Sequence, residues 1–345
     1  MIKEAECFEQ REEKEVKCFL CPRGCLIRPQ STGFCRVREN RGGKLYTLIY
    51  GETSTQAIEP IEKTLFHFHP GTQTLSISAI GCSFSCPWCQ NYNISQAKFG
   101  DLVTFETKPE EVVHMAKKYG TQSVSYTYNE PVIWYEFIKD TARLNRQEGI
   151  KNVLVTNGYI TIKALEGLVD YIDAVNVDIK GFSEEFYRTY CESELDAILD
   201  STKYLVQKNV PLELTYLIIP LLNDSLEEIG DFLDWVIDQL RTSVPIHFAR
   251  FYPAYRMTDR PPTPAETLMA AANLAYEKGL EYVYVRNVFI EGLEDTHCPR
   301  CHTVLISRYN SNVMNMNLTE KNECPSCGLK IPLVCRPKVP LSKQY

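Results

Sequence analysis

Three cysteines in the segment GCSFSCPWCQN (81–91) are spaced Cys82-x3-Cys86-x2-Cys89. Thiolates are the natural ligands of iron–sulfur clusters. Three of them hold three irons of a [4Fe–4S] cubane and leave the fourth iron open. An open iron can bind the amine and carboxylate of S-adenosylmethionine (SAM) and push one electron into its sulfonium. Homolysis then gives a 5′-deoxyadenosyl radical, a case of a cofactor carrying the hard chemistry while the protein positions it. Structural zinc is the alternative, but closed zinc sites take four ligands. No fourth cysteine lies nearby in the sequence, and His67 and His69 precede the strand that leads into the triplet. Trp88 is placed to pack near an adenine, or simply to fill core.

Two further cysteine groups flank the triplet. Cys298, Cys301, Cys324 and Cys327 form two CxxC knuckles about 20 residues apart, a zinc-ribbon signature whose four ligands leave no open position. His297 reads as a bystander, and His302 stands where such knuckles usually carry glycine. Cys18, Cys21, Cys25 and Cys35 form C-x2-C-x3-C-x9-C, suited to zinc or to a second iron–sulfur cluster, or left unmetallated. Arg23, Arg28, Arg36, Arg38 and Arg41 interleave with this group. They read as a solvated charged face or as a patch for RNA or an acidic partner. Of 14 cysteines, only Cys7, Cys191 and Cys335 stand outside the three groups. Cys191 reads as a small buried hydrophobe.

The chain around these groups has 345 residues, 44% hydrophobic and 23% charged, as expected of a globular protein. The net charge of −7 gives no general basic footprint for nucleic acid. No apolar run approaches the roughly 20 residues of a membrane span, and the charged N-terminus has no apolar signal core. These features predict a cytoplasmic protein. Thiols stay reduced in that compartment, so cysteine richness points to metals rather than disulfides.

The triplet must be positioned by the middle of the chain, which alternates strand-like and helix-like segments. Strands are predicted at 75–81, 123–129, 152–158, 174–181, 211–220, 246–253 and 281–288. Helices are predicted at 108–120, 131–149, 225–240 and 264–279, with Pro109 suited to a helix start and Gly120 to its end. Strands separated by helices imply parallel βα units, and six or seven of them fit an α/β fold with a full or partial TIM-type barrel. The expected organisation is a Cys-rich segment over 1–70, the barrel over 71–290, and a zinc-ribbon-like extension over 291–345.

Catalytic groups of such barrels gather at the C-terminal ends of strands. YTYNEP (126–131), TNGY (156–159) and DIKG (178–181) all fall there. Glu130 can accept a hydrogen bond from an ammonium group, or serve as a helix N-terminal residue. Thr156 and Asn157 offer short polar groups, or form a simple turn. Asp178 and Lys180, two apart in a strand, share a face and need a function or mutual pairing to offset burial of charge. Arg250, a strand arginine amid apolar residues, needs an anionic partner. His247 reads on its own as a satisfied core histidine.

The triplet with its aromatic residue and barrel resembles the radical SAM superfamily, and within it the pyruvate formate-lyase activating enzymes. The most similar branch is the radical SAM member of the AmmeMemoRadiSam system. CFLCPRGC, GFCRVREN, IEPIEKTLFHFHPG, ISAIGCSFSCPWCQNYNIS, YTYNEP, TNGY, NVDIKG, IIPLLND, ARFYPAYRM and the C-terminal CxxC pairs carry the resemblance over nearly the whole chain. It implies SAM contacts from Trp88, Asn129, Glu130, Thr156, Asn157, Asp178, Lys180, His247 and Arg250. Asn129 and Glu130 stand at the end of a Gly-Gly-Glu stretch that touches the SAM amine in activating enzymes, and Tyr128 replaces one of its glycines. His247 would contact the adenosine and Arg250 the carboxylate. The resemblance also implies a low-potential electron donor of flavodoxin or ferredoxin type, and Memo-type and AMMECR-type partner proteins. The reaction expected is hydrogen abstraction from a substrate that the sequence does not identify. Activation of a glycyl radical enzyme is the alternative, and a metal-bearing binding module without catalysis is the rival from another class.

Overall fold

The computed structural model describes residues 1–334, so Cys335 lies outside the described residues. Eight strands form one sheet: β1 (Thr55–Pro60), β2 (Gln73–Ser78), β3 (Ser123–Tyr126), β4 (Lys151–Thr156), β5 (Ala174–Ile179), β6 (Leu212–Ile218), β7 (Ile246–Arg250) and β8 (Val283–Arg286). They lie side by side in chain order, β2 to β8 parallel and β1 antiparallel to β2. The sheet is not closed, so the barrel is partial. Across the seam, Arg286 on β8 donates to the carbonyl of Glu62, just beyond β1.

Helices α1 (Pro109–Tyr119), α2 (Tyr135–Gln147), α3 (Leu195–Gln207), α4 (Leu226–Gln239) and α5 (Ala265–Glu277) cover the outside. α1 begins with Pro109 at its first turn, and the Glu111 side chain accepts from the Lys108 N–H at 2.6 Å. The parallel strands are apolar and buried because helices cover one face and side chains fill the other.

β1 was not among the strands expected from the sequence. It is half-buried along its length and ends in Pro60, which an edge strand tolerates. The sheet therefore begins inside the segment assigned to the Cys-rich arm. Two small three-stranded antiparallel sheets, built from strands between residues 3 and 47, precede it. The C-terminal arm folds as Thr296–His297, Val304–Tyr309 and Asn312–Met316. Arg308 fastens it to the barrel: its guanidinium donates to the carbonyls of Glu294 and Phe66 at 3.0 and 2.9 Å and covers the Phe66 ring.

Of the arginines around the first cysteine group, Arg28 and Arg41 stay exposed as a solvated face would, and the other three do not. Arg38 is buried and ion-paired with buried Glu136. Arg23 donates to the carbonyls of Ser83 and Glu192, and Arg36 to that of Gln96. Arg28 and Arg41 pair with Glu15 and Glu39. Three of the five therefore fasten the arm to the barrel rather than facing a partner.

Candidate active site

A cavity of about 580 Å³ opens at the C-terminal ends of the strands. Cys82, Cys86 and Cys89 all line it, on the loop that leaves β2. The loop can turn there because Gly81 adopts φ +87°, in the left-handed region. Phe84 N–H points at Cys82 Sγ (3.4 Å), and Ser95 Oγ lies 3.2 Å from Cys89 Sγ. Burial pushes the Cys82 and Cys89 thiols up, and contact with Cys191 followed by burial does so at Cys86.

Trp88, Asn129, Glu130, Thr156, Asn157, Asp178 and Lys180 line the same cavity. Trp88 is buried against Phe186, ring centroids 5.5 Å apart. Glu130 is held by three donors. Its carboxylate accepts from Val132 N–H (2.9 Å), Thr156 Oγ (2.7 Å) and Asn157 N–H (2.8 Å). Burial outweighs these donors and pushes its carboxyl up to about 7. Glu130 thus caps the turn after β3 and ties it to the end of β4. Thr156 and Asn157 are committed too, since Asn157 donates to Ser83 Oγ (3.0 Å) and accepts from Tyr159 N–H (2.9 Å). Asn129 differs: its amide donates to the Gly81 carbonyl (2.9 Å), while its buried Oδ1 has no partner. Lys180 Nζ and Asp178 pair at 2.8 Å, as their shared strand face implies. Burial opposes the Lys180 charge, but the pairing with Asp178 overcomes it and pushes the Lys180 pKa up.

Two expected contacts are not in the cavity. His247 is the second residue of β7, at the end of the sheet away from the loops. Its Nε2 lies 2.6 Å from buried Glu213, and its ring stacks on Tyr284. It is a core histidine bonded at Nε2, while its buried Nδ1 has no partner. Arg250 ends β7, and its side chain turns to the Thr263 carbonyl (2.9 Å) and the Tyr252 ring; among the described residues it has no anionic partner.

Other residues at or near the cavity were given no site role from the sequence. Tyr128 adopts φ +69°, so it holds the left-handed backbone that a glycine would adopt freely. Its hydroxyl donates to Glu59 (2.7 Å) and its carbonyl accepts from Asn91 (2.7 Å), linking the edge strand to the cysteine loop. Arg286 and Tyr252 also line the wall. Cys191, on the irregular helical turn Tyr187–Cys191, sits with Sγ 3.6 Å from Cys86 Sγ. Only the folded chain brings those two together, and no local pattern signals it.

The C-terminal cysteines form a separate, compact site. Their four sulfurs all lie within 4.8 Å of one another, a spacing suited to a single metal ion. The knuckles match: His302 N–H donates to Cys298 O and Gly328 N–H to Cys324 O, both at 2.9 Å. His302 takes φ +59° and Gly328 φ +74°. The turn is thus the usual one despite the missing glycine.

Residues 76–236 match the family model described as the radical SAM superfamily. An uncharacterized protein of Methanocaldococcus jannaschii is 43% identical over 336 residues, 96% of this chain and 100% of that one. Pyruvate formate-lyase 1-activating enzyme of Escherichia coli K12 is 29% identical over 160 residues, 44% of this chain and 65% of that one. Among solved structures, Streptococcus suis SuiB bound to precursor peptide SuiA matches with a TM-score of 0.50 at 15% identity, covering 66% of this chain and 50% of that one. That likeness concerns the fold alone. The matched region holds the cysteine loop and the turns after β3, β4 and β5, and the chain belongs to the radical SAM superfamily.

Proposed function

We propose that this chain is a radical SAM enzyme that holds a [4Fe–4S] cluster at Cys82, Cys86 and Cys89 and binds SAM in the adjoining cavity. The observation that carries the reading is the convergence of three thiols with the Asn129–Glu130 turn and the Asp178–Lys180 pair on one cavity at the strand ends. The donor set fits the group, being three sulfurs without the compact spacing of the C-terminal site. When bound, the cluster and SAM supply reductive cleavage to a 5′-deoxyadenosyl radical that abstracts hydrogen from a substrate.

The chain's own residues then have distinct tasks. The unpartnered Asn129 Oδ1 accepts a hydrogen bond from the SAM ammonium. Glu130 positions Asn129, Thr156 and Asn157 rather than holding the ligand itself. Lys180 presents a fixed positive charge to the SAM carboxylate, and Asp178 keeps that charge in place. Trp88 supplies an apolar surface for the adenine. The compact C-terminal quartet holds zinc in a structural role. His247 and Arg250 do not line the cavity, and this reading gives them no SAM contact.

The test is anaerobic reconstitution with iron and sulfide, then dithionite reduction with SAM, followed by EPR and 5′-deoxyadenosine assay. A reduced-cluster signal altered by SAM, with 5′-deoxyadenosine formed, supports the reading. A cluster indifferent to SAM supports the binding-module alternative.

Similarity to an activating enzyme favours a second reading of the substrate, in which hydrogen is taken from the backbone of a glycyl radical enzyme. A glycyl EPR doublet on a partner enzyme would establish it. The AmmeMemoRadiSam context, with its Memo-type and AMMECR-type partners, rests on the motif resemblance alone.

A further inference from the structure

The cysteine groups fall into two kinds of geometry. Among the described residues, the C-terminal quartet is the one group of three or more whose ligand atoms all lie within 4.8 Å of one another. A single zinc, with Zn–S of about 2.3 Å, holds tetrahedral sulfurs roughly 3.8 Å apart. The triplet is more open than that, and so is the N-terminal quartet. Yet Cys18, Cys21, Cys25 and Cys35 all line one chamber.

That chamber is prepared for negative charge. Arg38 lines it, is 1% exposed, and leaves Nε and Nη1 without a partner. Glu136 Oε2 is also without a partner, so the pair is incompletely satisfied and the two free donors can receive a further anionic neighbour. The Cys25 sulfur borders Gly33, where a Cβ would come within 3.6 Å of it and 3.2 Å of Ile27.

The chamber lies directly behind the active-site loop. Cys82 and Phe84 face the SAM cavity, while Ser83 between them faces the N-terminal chamber. A Cβ on Gly81 would sit 2.8 Å from the Cys35 carbonyl. The wall between the two cysteine sites is one residue thick at this point.

We propose that Cys18, Cys21, Cys25 and Cys35 hold a second [4Fe–4S] cluster. Four protein thiolates leave none of its irons open, so it carries electrons and does not bind SAM. One electron from a low-potential donor of flavodoxin or ferredoxin type takes this cluster from the 2+ to the 1+ state. Transfer of that electron across the Cys82–Phe84 segment to the cluster at the triplet restores the 2+ state. No atom or proton is transferred.

The experiment is iron, sulfide and zinc analysis with EPR on the anaerobically reconstituted full chain and on its C82A/C86A/C89A variant. The wild type should hold about eight irons, about eight sulfides and about one zinc. The variant should keep about four irons and a dithionite-reduced signal that SAM leaves unchanged. In the fully reduced wild type, the two signals should broaden each other through spin coupling. A C21A/C25A variant should lose only the irons that the triplet variant retains. Loss of all iron from the triplet variant would overturn the proposal, as would about four irons with about two zincs in the wild type. The wild-type metal count needs no substitution, so it decides the matter whichever variants fold. The SAM-altered signal belongs to the triplet, so failure of the second cluster and failure of the SAM reading remain distinguishable.

Discussion

Cys191 Sγ lies 3.6 Å from Cys86 Sγ, which puts a fourth, fully buried thiol beside the candidate SAM cluster. It arrives from a helical turn more than 100 residues away. If Cys191 took the fourth iron, SAM would have no open position, so the proposed function requires it to stay a neighbour.

Cys191→Ala should therefore keep the triplet's iron and still form 5′-deoxyadenosine. Removing one buried sulfur should lower stability by about 1 kcal/mol. Cys86→Ala should lose both iron and cleavage. Loss of iron from Cys191→Ala would make Cys191 a ligand and close the site. Iron analysis and product assay on the two variants settle the point.

Lys180 and Asp178 form a paired charge in the cavity wall. Lys180→Met should weaken SAM binding by about 10- to 100-fold, the loss of one charge-assisted contact. Asp178→Asn should weaken it less, because the ammonium remains but its position loosens. Titration of the SAM-altered EPR signal measures both. Equal affinity in Lys180→Met and the wild type would remove Lys180 from the site.

Much of this arrangement was legible before folding. The buried parallel strands showed as apolar runs, and Pro109 and Gly120 marked the ends of α1. The period-2 rule placed Asp178 and Lys180 together. What was illegible had physical causes. β1 carries no apolar run because its pairing with β2 supplies what its side chains do not. His247 was assigned to the cavity by resemblance, although the second residue of a parallel strand lies at the end opposite to the catalytic loops. Glu130 reads in sequence as a ligand or as a helix N-terminal residue, and its bond from the Val132 N–H shows the second role. Arg23, Arg36 and Arg38 looked solvated because Ser83, Gln96 and Glu136, which receive them, are distant in sequence.

Glu213 and His67 govern acid stability at the closed end of the barrel. Burial alone would raise the Glu213 carboxyl, but His247, His67 and the Phe66 N–H hold it down to about 2. Burial also holds His67 down to about 4. The unfolded chain binds more protons in both cases. Stability should fall from about pH 6.5 through 4 as His67 charges, and from about 4.5 through 2 as Glu213 protonates. Glu213→Gln should be less stable than the wild type at pH 7 by roughly 3 kcal/mol. The gap should narrow below pH 4.5. Denaturant unfolding of both proteins across this range tests it, and a gap unchanged by acid would remove Glu213 as the source.

The C-terminal quartet predicts about one zinc per chain, released on modifying its thiols. Hydrogen–deuterium exchange should then quicken at 298–302 and 324–328, whose turns depend on the metal. The strands β2–β8 should stay protected, because Arg308 and Phe66 hold the interface through contacts that need no zinc. Global loss of protection would show instead that the barrel's stability depends on the ribbon.

Gly81 offers the sharpest test of the shared wall. Its φ of +87° makes alanine costly by about 1–2 kcal/mol wherever it occurs. Here the new Cβ would also meet the Cys35 carbonyl at 2.8 Å and Val37 Cγ1 at 2.9 Å. One of the two cysteine segments must shift to relieve that contact. Gly149 has φ +74° with nothing within 4 Å of its Cβ, so Gly149→Ala isolates the backbone cost. Gly81→Ala should be less stable than Gly149→Ala by about 1–3 kcal/mol. It should also disturb iron binding at both the triplet and the N-terminal quartet, while Gly149→Ala leaves both intact. Equal stability and equal iron in the two variants would mean that the Cys35 backbone yields freely, and that the wall does not couple the two sites.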